Sequence, residues 1–405
     1  MSLSAKIFKK ISLFEGDRVL WMVLFFLCVI SIIEVYSASS NMSYKSGEFW
    51  RPATQHVLFI LIGVTTTVCI HKVPCRFFKL IPLTLPLVVL LLLITFFTEK
   101  VNNASRWLEY GGVTFQPSEL AKGVLITTVA MVLSSMKEEA QSQKQTFKII
   151  LVLSIVICGF IAPENFSTAA MTFLVVLIMM FVGRIPWKYL GSLIGILALA
   201  GGMAYAFLTL TPENTIKNLG EKPGLHRLPT WANRLKNHTE EPEDAKQFNL
   251  QKNTQVAHAK IAIATCNVVG KGPGNSVERD FLPQPFSDFI YAIIIEELGI
   301  LGGGFVLFLY IVLLFRTARI ASRCENNFPA FLVMGIAILL VTQALINMAV
   351  AVGVFPVTGQ PLPFVSKGGT ATIINCAYMG IILSVSRSAK QRTDLTPSPV
   401  DMIEY

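Results

Sequence analysis

Asp288 stands in the run Phe286-Ser287-Asp288-Phe289-Ile290-Tyr291, where a polar loop turns into a long apolar helix. A carboxylate kept ionised at such a helix start is what a general base for a sugar hydroxyl requires, although the same residue could simply cap the helix. Upstream, Gly270-Lys271-Gly272-Pro273-Gly274-Asn275-Ser276 is dense enough in glycine to offer backbone N–H groups to a phosphate, but it lacks the strand-loop-helix context of a P-loop. Between and beyond these lie Phe281-Leu282-Pro283 and Glu296-Glu297-Leu298-Gly299.

Three other places hold polar residues where an apolar chain would not tolerate them without a reason. Arg106-Trp107 is followed by Gly111-Gly112 and then by Gln116-Pro117-Ser118-Glu119-Leu120-Ala121-Lys122. Pro117 suits a first helical turn, and Glu119 and Lys122, three residues apart, share a face and can pair. That pair either holds two helices together or serves a site; Arg106 is either an interfacial anchor beside Trp107 or a clamp for a pyrophosphate. In Pro163-Glu164-Asn165-Phe166-Ser167-Thr168, Asn165 or Ser167 is placed to cap the next helix. Finally Asn347 precedes Gly353 to Val357, Thr358-Gly359-Gln360-Pro361-Leu362-Pro363-Phe364 and Ser366-Lys367-Gly368-Gly369-Thr370. Three prolines and several glycines in a short apolar loop predict a rigid re-entrant segment, best read as the wall of a cavity.

The elements that must position these residues are membrane helices. Of 405 residues, 53% are hydrophobic and only 15% charged, and the mean hydropathy is +0.59, which excludes a soluble globular protein. Apolar runs able to cross a core of about 30 Å recur throughout. They predict an all-α integral membrane protein of about ten transmembrane helices, read at 20–38, 53–71, 79–97, 117–135, 147–162, 166–183, 189–210, 288–315, 328–352 and 366–386. The first run is read as an uncleaved helix, despite a small-residue Ser37-Ala38-Ser39 end.

With both termini inside, the short cytoplasmic segments hold about 18 basic residues against about five outside. The chain then divides into a cytoplasmic N-terminus (1–19), a polytopic membrane domain (20–390) with a long outer loop (211–287), and a disordered cytoplasmic tail (391–405). Within that loop, Val256 to Val269 is apolar enough for a helix along the membrane. The net charge of +9 reflects basic flanks between spans, and no nucleic-acid surface is expected. The seven cysteines show no CxxC or metal-ligand spacing, so no metal site is expected.

Taken in order and spacing, these segments resemble the SEDS family (shape, elongation, division and sporulation; the FtsW/RodA family). The resemblance runs from Gly16-Asp17 and Tyr36 to Ser39, through Arg106-Trp107, Gln116 to Lys122, Gly270 to Ser276, Leu282-Pro283, Asp288 to Ile290 and Glu296 to Gly299, to Pro356 to Gly369. It implies a ten-helix glycosyltransferase that polymerises lipid II into peptidoglycan with inversion and releases undecaprenyl pyrophosphate. A class B penicillin-binding protein and other divisome membrane proteins are the implied partners. Asp288 matches the family's catalytic aspartate.

By the same match, Arg106, Glu119, Lys122 and Lys271 fall on sensitive positions, and Trp107, Ser276, Thr358, Ser366 and Lys367 join them as substrate-binding candidates. Cationic side chains, or a divalent cation such as Mg or Mn, would offset charge on the leaving group. Leu228 to Arg234 resembles the division-type branch, which implies the inner membrane at the septum. The chain departs from the family at Pro163-Glu164-Asn165, Lys367, Thr370 and Phe286-Ser287; Lys367 either favours an anionic substrate or pairs with Glu164. A lipid II flippase and a non-enzymatic scaffold remain as rivals.

Overall fold

The computed structural model describes residues 15–46, 51–95, 97, 108–110, 113–220, 227–239, 254–282 and 286–393. Helices α1 (Arg18–Ser46) and α2 (Arg51–His71) are followed by a 3₁₀ segment, Cys75–Thr84, that runs into α3 (Leu85–Thr95). After a short β-hairpin come α4 (Pro117–Ser134), α5 (Ala140–Ile161), α6 (Phe166–Val182) and α7 (Trp187–Leu210). The loop beyond carries α8 (Glu213–Gly220), α9 (Leu228–Thr239), α10 (Thr254–Ala264) and the 3₁₀ turn Glu278–Phe281. Three long helices close the chain: α11 (Ile290–Ser322), α12 (Asn327–Ala351) and α13 (Thr370–Thr393).

The all-α membrane architecture is borne out. Among the described residues, eight helices are long and apolar enough to cross a membrane, and α6 is a shorter apolar helix; α13 occupies the tenth expected position. Large apolar side chains on their outward faces, such as Leu58, Leu61, Leu87 and Ile196, are exposed, as lipid contact requires. The interior is built where α2 packs along α13 and α12 packs against both α11 and α4.

Several boundaries differ from the sequence reading, each for a local reason. The third span starts as a 3₁₀ helix containing Pro82, whose missing N–H prevents regular α-helix there. The tenth begins at Thr370, after Gly368 and Gly369. Apolar Val256 to Val269 is helical only over α10, which packs on α11 and α12. Helix α11 is 33 residues long and breaks at Gly299, where φ is 72° and ψ −176°. The hairpin, β1 (Leu108–Tyr110) with β2 (Val113–Phe115), is antiparallel; Thr370 donates to the Thr114 carbonyl at 2.8 Å and docks it on the start of α13.

The proline-rich loop 356–366, expected to be re-entrant, is packed in protein over 362–366, whereas 356–359 are half-buried and border the Asp288 turn. Leu362, Phe364, Val365 and Ser366 are all buried. Its carbonyls are satisfied from the surrounding helices: Tyr310 donates to Pro363, and Ser31, which also touches His56, donates to Val365 at 2.7 Å. These bonds hold Phe364 at φ 66°, a left-handed backbone that costs a bulky residue about 1–2 kcal/mol.

Candidate active site

Asp288 lies in the turn 286–289, two residues before α11 begins. The helix N-cap is Phe289, with no side-chain capping bond, so the alternative that Asp288 simply caps the helix does not hold. What holds Asp288 is a set of bonds from two other elements. Its carbonyl accepts from Asn347 on α12 at 2.9 Å, and the same Asn347 amide donates to the Gln360 carbonyl at 2.8 Å. Ser366 Oγ donates to the Ser287 carbonyl at 2.7 Å and receives the Leu362 N–H at 2.7 Å. Lys367 N–H donates to the Phe286 carbonyl at 3.0 Å.

The turn is therefore zipped to the proline-rich loop by its backbone, which gives the half-buried carboxylate a rigid base. Ser287 Oγ donates to its Oδ1 at 3.0 Å. Gly359, at φ 71°, sits so near that an added Cβ would stand 3.7 Å from Oδ2.

Cations gather on the same side. Arg234 of α9 donates to the Val357 carbonyl at 3.0 Å. Burial lowers its pKa below the ordinary value, the neighbouring Arg227 lowers it further, and Asp288 opposes both. Arg227 donates to the Glu164 carbonyl at 3.5 Å. Burial also lowers the pKa of Lys367, whose ammonium lies 4.9 Å from the centre of the Phe286 ring. Arg227 and Arg234 were missed as site residues because long loops were left out of the charge reading. Their seven-residue spacing, two helical turns along one face, was the available signal.

The glycine-dense loop does something other than offer its amides to a phosphate. Its N–H groups already hold two carboxylates of α11. Gly274 N–H donates to Glu297 Oε2 at 3.0 Å and Ser276 N–H to Glu297 Oε1 at 3.3 Å. Val277 N–H donates to Glu296 Oε1 at 3.1 Å and Ser276 Oγ to Glu296 Oε2 at 2.5 Å.

Lys271 pairs with Glu296 at 2.6 Å. Arg279 lies 3.7 Å from Glu297 and donates to Ser37 Oγ at 2.9 Å, which ties the latch to α1. Lys271 and Ser276 are thus brought together with Glu296, away from the Asp288 turn. The break at Gly299 makes this possible, since it frees the Glu296 and Glu297 carbonyls for Lys271 N–H at 3.0 Å and Gly272 N–H at 2.8 Å.

Glu119 and Lys122 pair as expected, at 2.9 Å, with Lys122 wholly buried. Lys122 also donates to Gln343 Oε1 at 2.9 Å, and Gln343 donates to the Pro361 carbonyl at 3.0 Å. The pair fastens α4 to α12 and to the proline-rich loop. Asn165 caps α6 by accepting the Thr168 N–H at 3.2 Å. Thr358 is half-buried next to Gly359; Ser366 is buried in the zip described above. Arg106, Trp107 and Pro283 lie outside the described residues. Among the described residues no three His, Cys, Asp or Glu side chains converge to hold a metal. Among the described residues, the charged side chains brought toward the Asp288 turn are the cations Arg234 and Lys367, which do not fit a divalent ion held by the protein.

A family model described as a cell cycle protein, FtsW/RodA/SpoVE, matches residues 17–391. The chain belongs to that family. This FtsW/RodA/SpoVE member is 31% identical to a probable peptidoglycan glycosyltransferase FtsW of Geobacter sp., over 92% of this chain and 97% of the relative. It is 30% identical to stage V sporulation protein E of Bacillus subtilis, over 92% and 98%. A probable FtsW of Coxiella burnetii is 29% identical over 90% and 95%.

Among solved structures, a chain described under "Structural coordination of polymerization and crosslinking by a peptidoglycan synthase complex" superposes with a TM-score of 0.71 at 23% identity, covering 93% of this chain and 99% of that one. The rod shape determining protein RodA of Thermus thermophilus does so with a TM-score of 0.64 at 20% identity, over 92% and 97%. At these identities the two structures establish the fold of the FtsW/RodA/SpoVE member. The SEDS resemblance read from the motifs is borne out.

Proposed function

We propose that this protein is a peptidoglycan glycosyltransferase that polymerises lipid II into glycan strands during cell division. The observation that carries the reading is the setting of Asp288. An acid is anchored by its backbone to Asn347 and, through Ser287, to Ser366, with Arg234 near enough to feel its charge and Arg227 next to Arg234. The glycosyltransferase names of its FtsW relatives support the same reading.

In this mechanism Asp288 takes the proton from the 4-hydroxyl of the acceptor GlcNAc as that oxygen attacks C1 of the donor MurNAc. The new O4–C1 bond forms, the C1–O bond to phosphate breaks, and the electron pair departs on undecaprenyl pyrophosphate with inversion at C1. Arg234, Arg227 and Lys367 oppose the charge gathering on the leaving group. Thr358, beside the glycine that abuts the carboxylate, is assigned to a sugar, and Arg106 and Trp107, just before β1, to the donor. Glu119, Lys122, Lys271 and Ser276 act by holding helices and loops in register.

The end of the bundle bearing Asp288 and the loop 211–287 faces outward, and both termini face the cytoplasm. A class B penicillin-binding protein crosslinks the product at the septum. The test is reconstitution with that partner and lipid II. Asp288→Asn is expected to cut polymerisation by about 10²–10⁴-fold, and an unchanged glycan yield would sink the proposed base. Lipid II crossing proteoliposomes without polymer would favour a flippase.

A further inference from the structure

At the end of the bundle away from Asp288, where α1 begins and α11 ends, two cavities meet at Arg323 and Ala389. One, of 290 Å³, lies between the start of the Cys75–Thr84 segment and the start of α12. The other, of 490 Å³, lies between the start of α1 and the ends of α11 and α13. Together they are lined by the cations Arg18, Arg76, Lys79, Arg316, Arg323 and Lys390, against the acids Asp17 and Glu325. Asp17 is already engaged by Arg316.

Six cations thus face two acids across these concave walls; Arg18, Arg76, Lys79, Arg323 and Lys390 are exposed and Arg316 is half-buried, and like charges gathered around one hollow are stabilised by an anion. Helix polarity acts in the same sense. The Cys75–Thr84 segment and α12 both open on the smaller cavity, and neither N-cap, Pro74 or Asn326, makes a side-chain capping bond. The wall next to the smaller cavity is apolar and outward-facing: Phe77, Leu80 and Leu83 are exposed along the same segment. A cationic hollow that opens beside a lipid-facing greasy strip fits a molecule with a phosphate at one end and acyl chains at the other.

We infer that these cavities bind the phosphate-bearing headgroup of an anionic phospholipid. The inference does not depend on the proposed transferase chemistry, which sits at the other end of α11.

The full-length protein, equilibrated with mixed phosphatidylglycerol and phosphatidylcholine, is examined by native mass spectrometry for retained lipid. Phosphatidylglycerol is expected to be retained at least about tenfold over phosphatidylcholine, and Arg76→Gln, Lys79→Gln and Arg323→Gln each to lower retention about fivefold. Arg319→Gln is the control, since Arg319 is exposed at the same end, lies against Phe315 and lines neither cavity; its retention should match wild type.

Equal loss in the Arg319 variant, or no preference for phosphatidylglycerol, overturns the inference. Inorganic phosphate that binds in the absence of any retained lipid overturns the lipid source and leaves a free-phosphate site. Arg323 is exposed, so its variant folds as a monodisperse species, and Arg323→Lys should restore retention.

Discussion

The role proposed for Asp288 requires its backbone to stay fixed, and among the described residues Asn347 is the side chain that bonds both the Asp288 and the Gln360 carbonyls. Asn347→Ala should therefore destabilise the fold by about 1–3 kcal/mol, the cost of leaving buried carbonyls unpaired. Glycan polymerisation should fall more than lipid II affinity does, and a denaturation midpoint measured beside single-turnover rates separates the two effects. Arg234→Ala should lower use of the pyrophosphate donor while leaving folding intact; unchanged donor dependence would remove it from the site.

Lys367 offers a signed test. Burial lowers its pKa from an ordinary 10.5, so the folded chain holds that proton less tightly than the unfolded chain does. Its contribution favours the fold above the ordinary pKa and is lost as pH falls through the folded one. Lys367→Met should accordingly raise the melting temperature at neutral pH and flatten the alkaline rise in stability. A thermal melt series across pH reads both.

Between helices, the buried Glu119 and Lys122 pair has a sharper signature than either residue alone. Removing one partner strands a charge, and Lys122→Met should cost about 3–5 kcal/mol, whereas Glu119→Leu with Lys122→Met together should be near neutral. A double-mutant cycle in chemical denaturation measures it. The pair was legible in the sequence because its spacing is local, three residues on one helix. The spans were legible for the same reason, since each carries its own apolar length.

The glycine loop was not legible. Its amides looked free, yet the carboxylates that fill them come from Glu296 and Glu297, about twenty residues downstream and just before a helix break that periodicity cannot reveal. Arg234 was hidden likewise, because α9 meets the Asp288 turn only in three dimensions. Gly270 and Gly299 face each other so closely that a Cβ on either would enter the other's backbone. Gly299→Ala should abolish the latch and lower expression of folded protein.

At the scale of the whole molecule, both termini are assigned to the end opposite Asp288. Cysteine labelling from outside the cell is the check: a cysteine at position 275 should react and one at position 322 should not. Helix α11 has a further consequence. Unbroken, its 33 residues would reach roughly 50 Å, well beyond a hydrocarbon slab. The break at Gly299 instead divides it into a long limb and a short one that follows Asp288 and is clamped by the 270–277 loop. The carboxylate proposed as base therefore rides at a height set by the protein, while the proposed polyprenyl-linked substrate would float with its bilayer. Turnover should consequently peak at one acyl-chain length and decline on either side, so the fold acts as a gauge of membrane thickness.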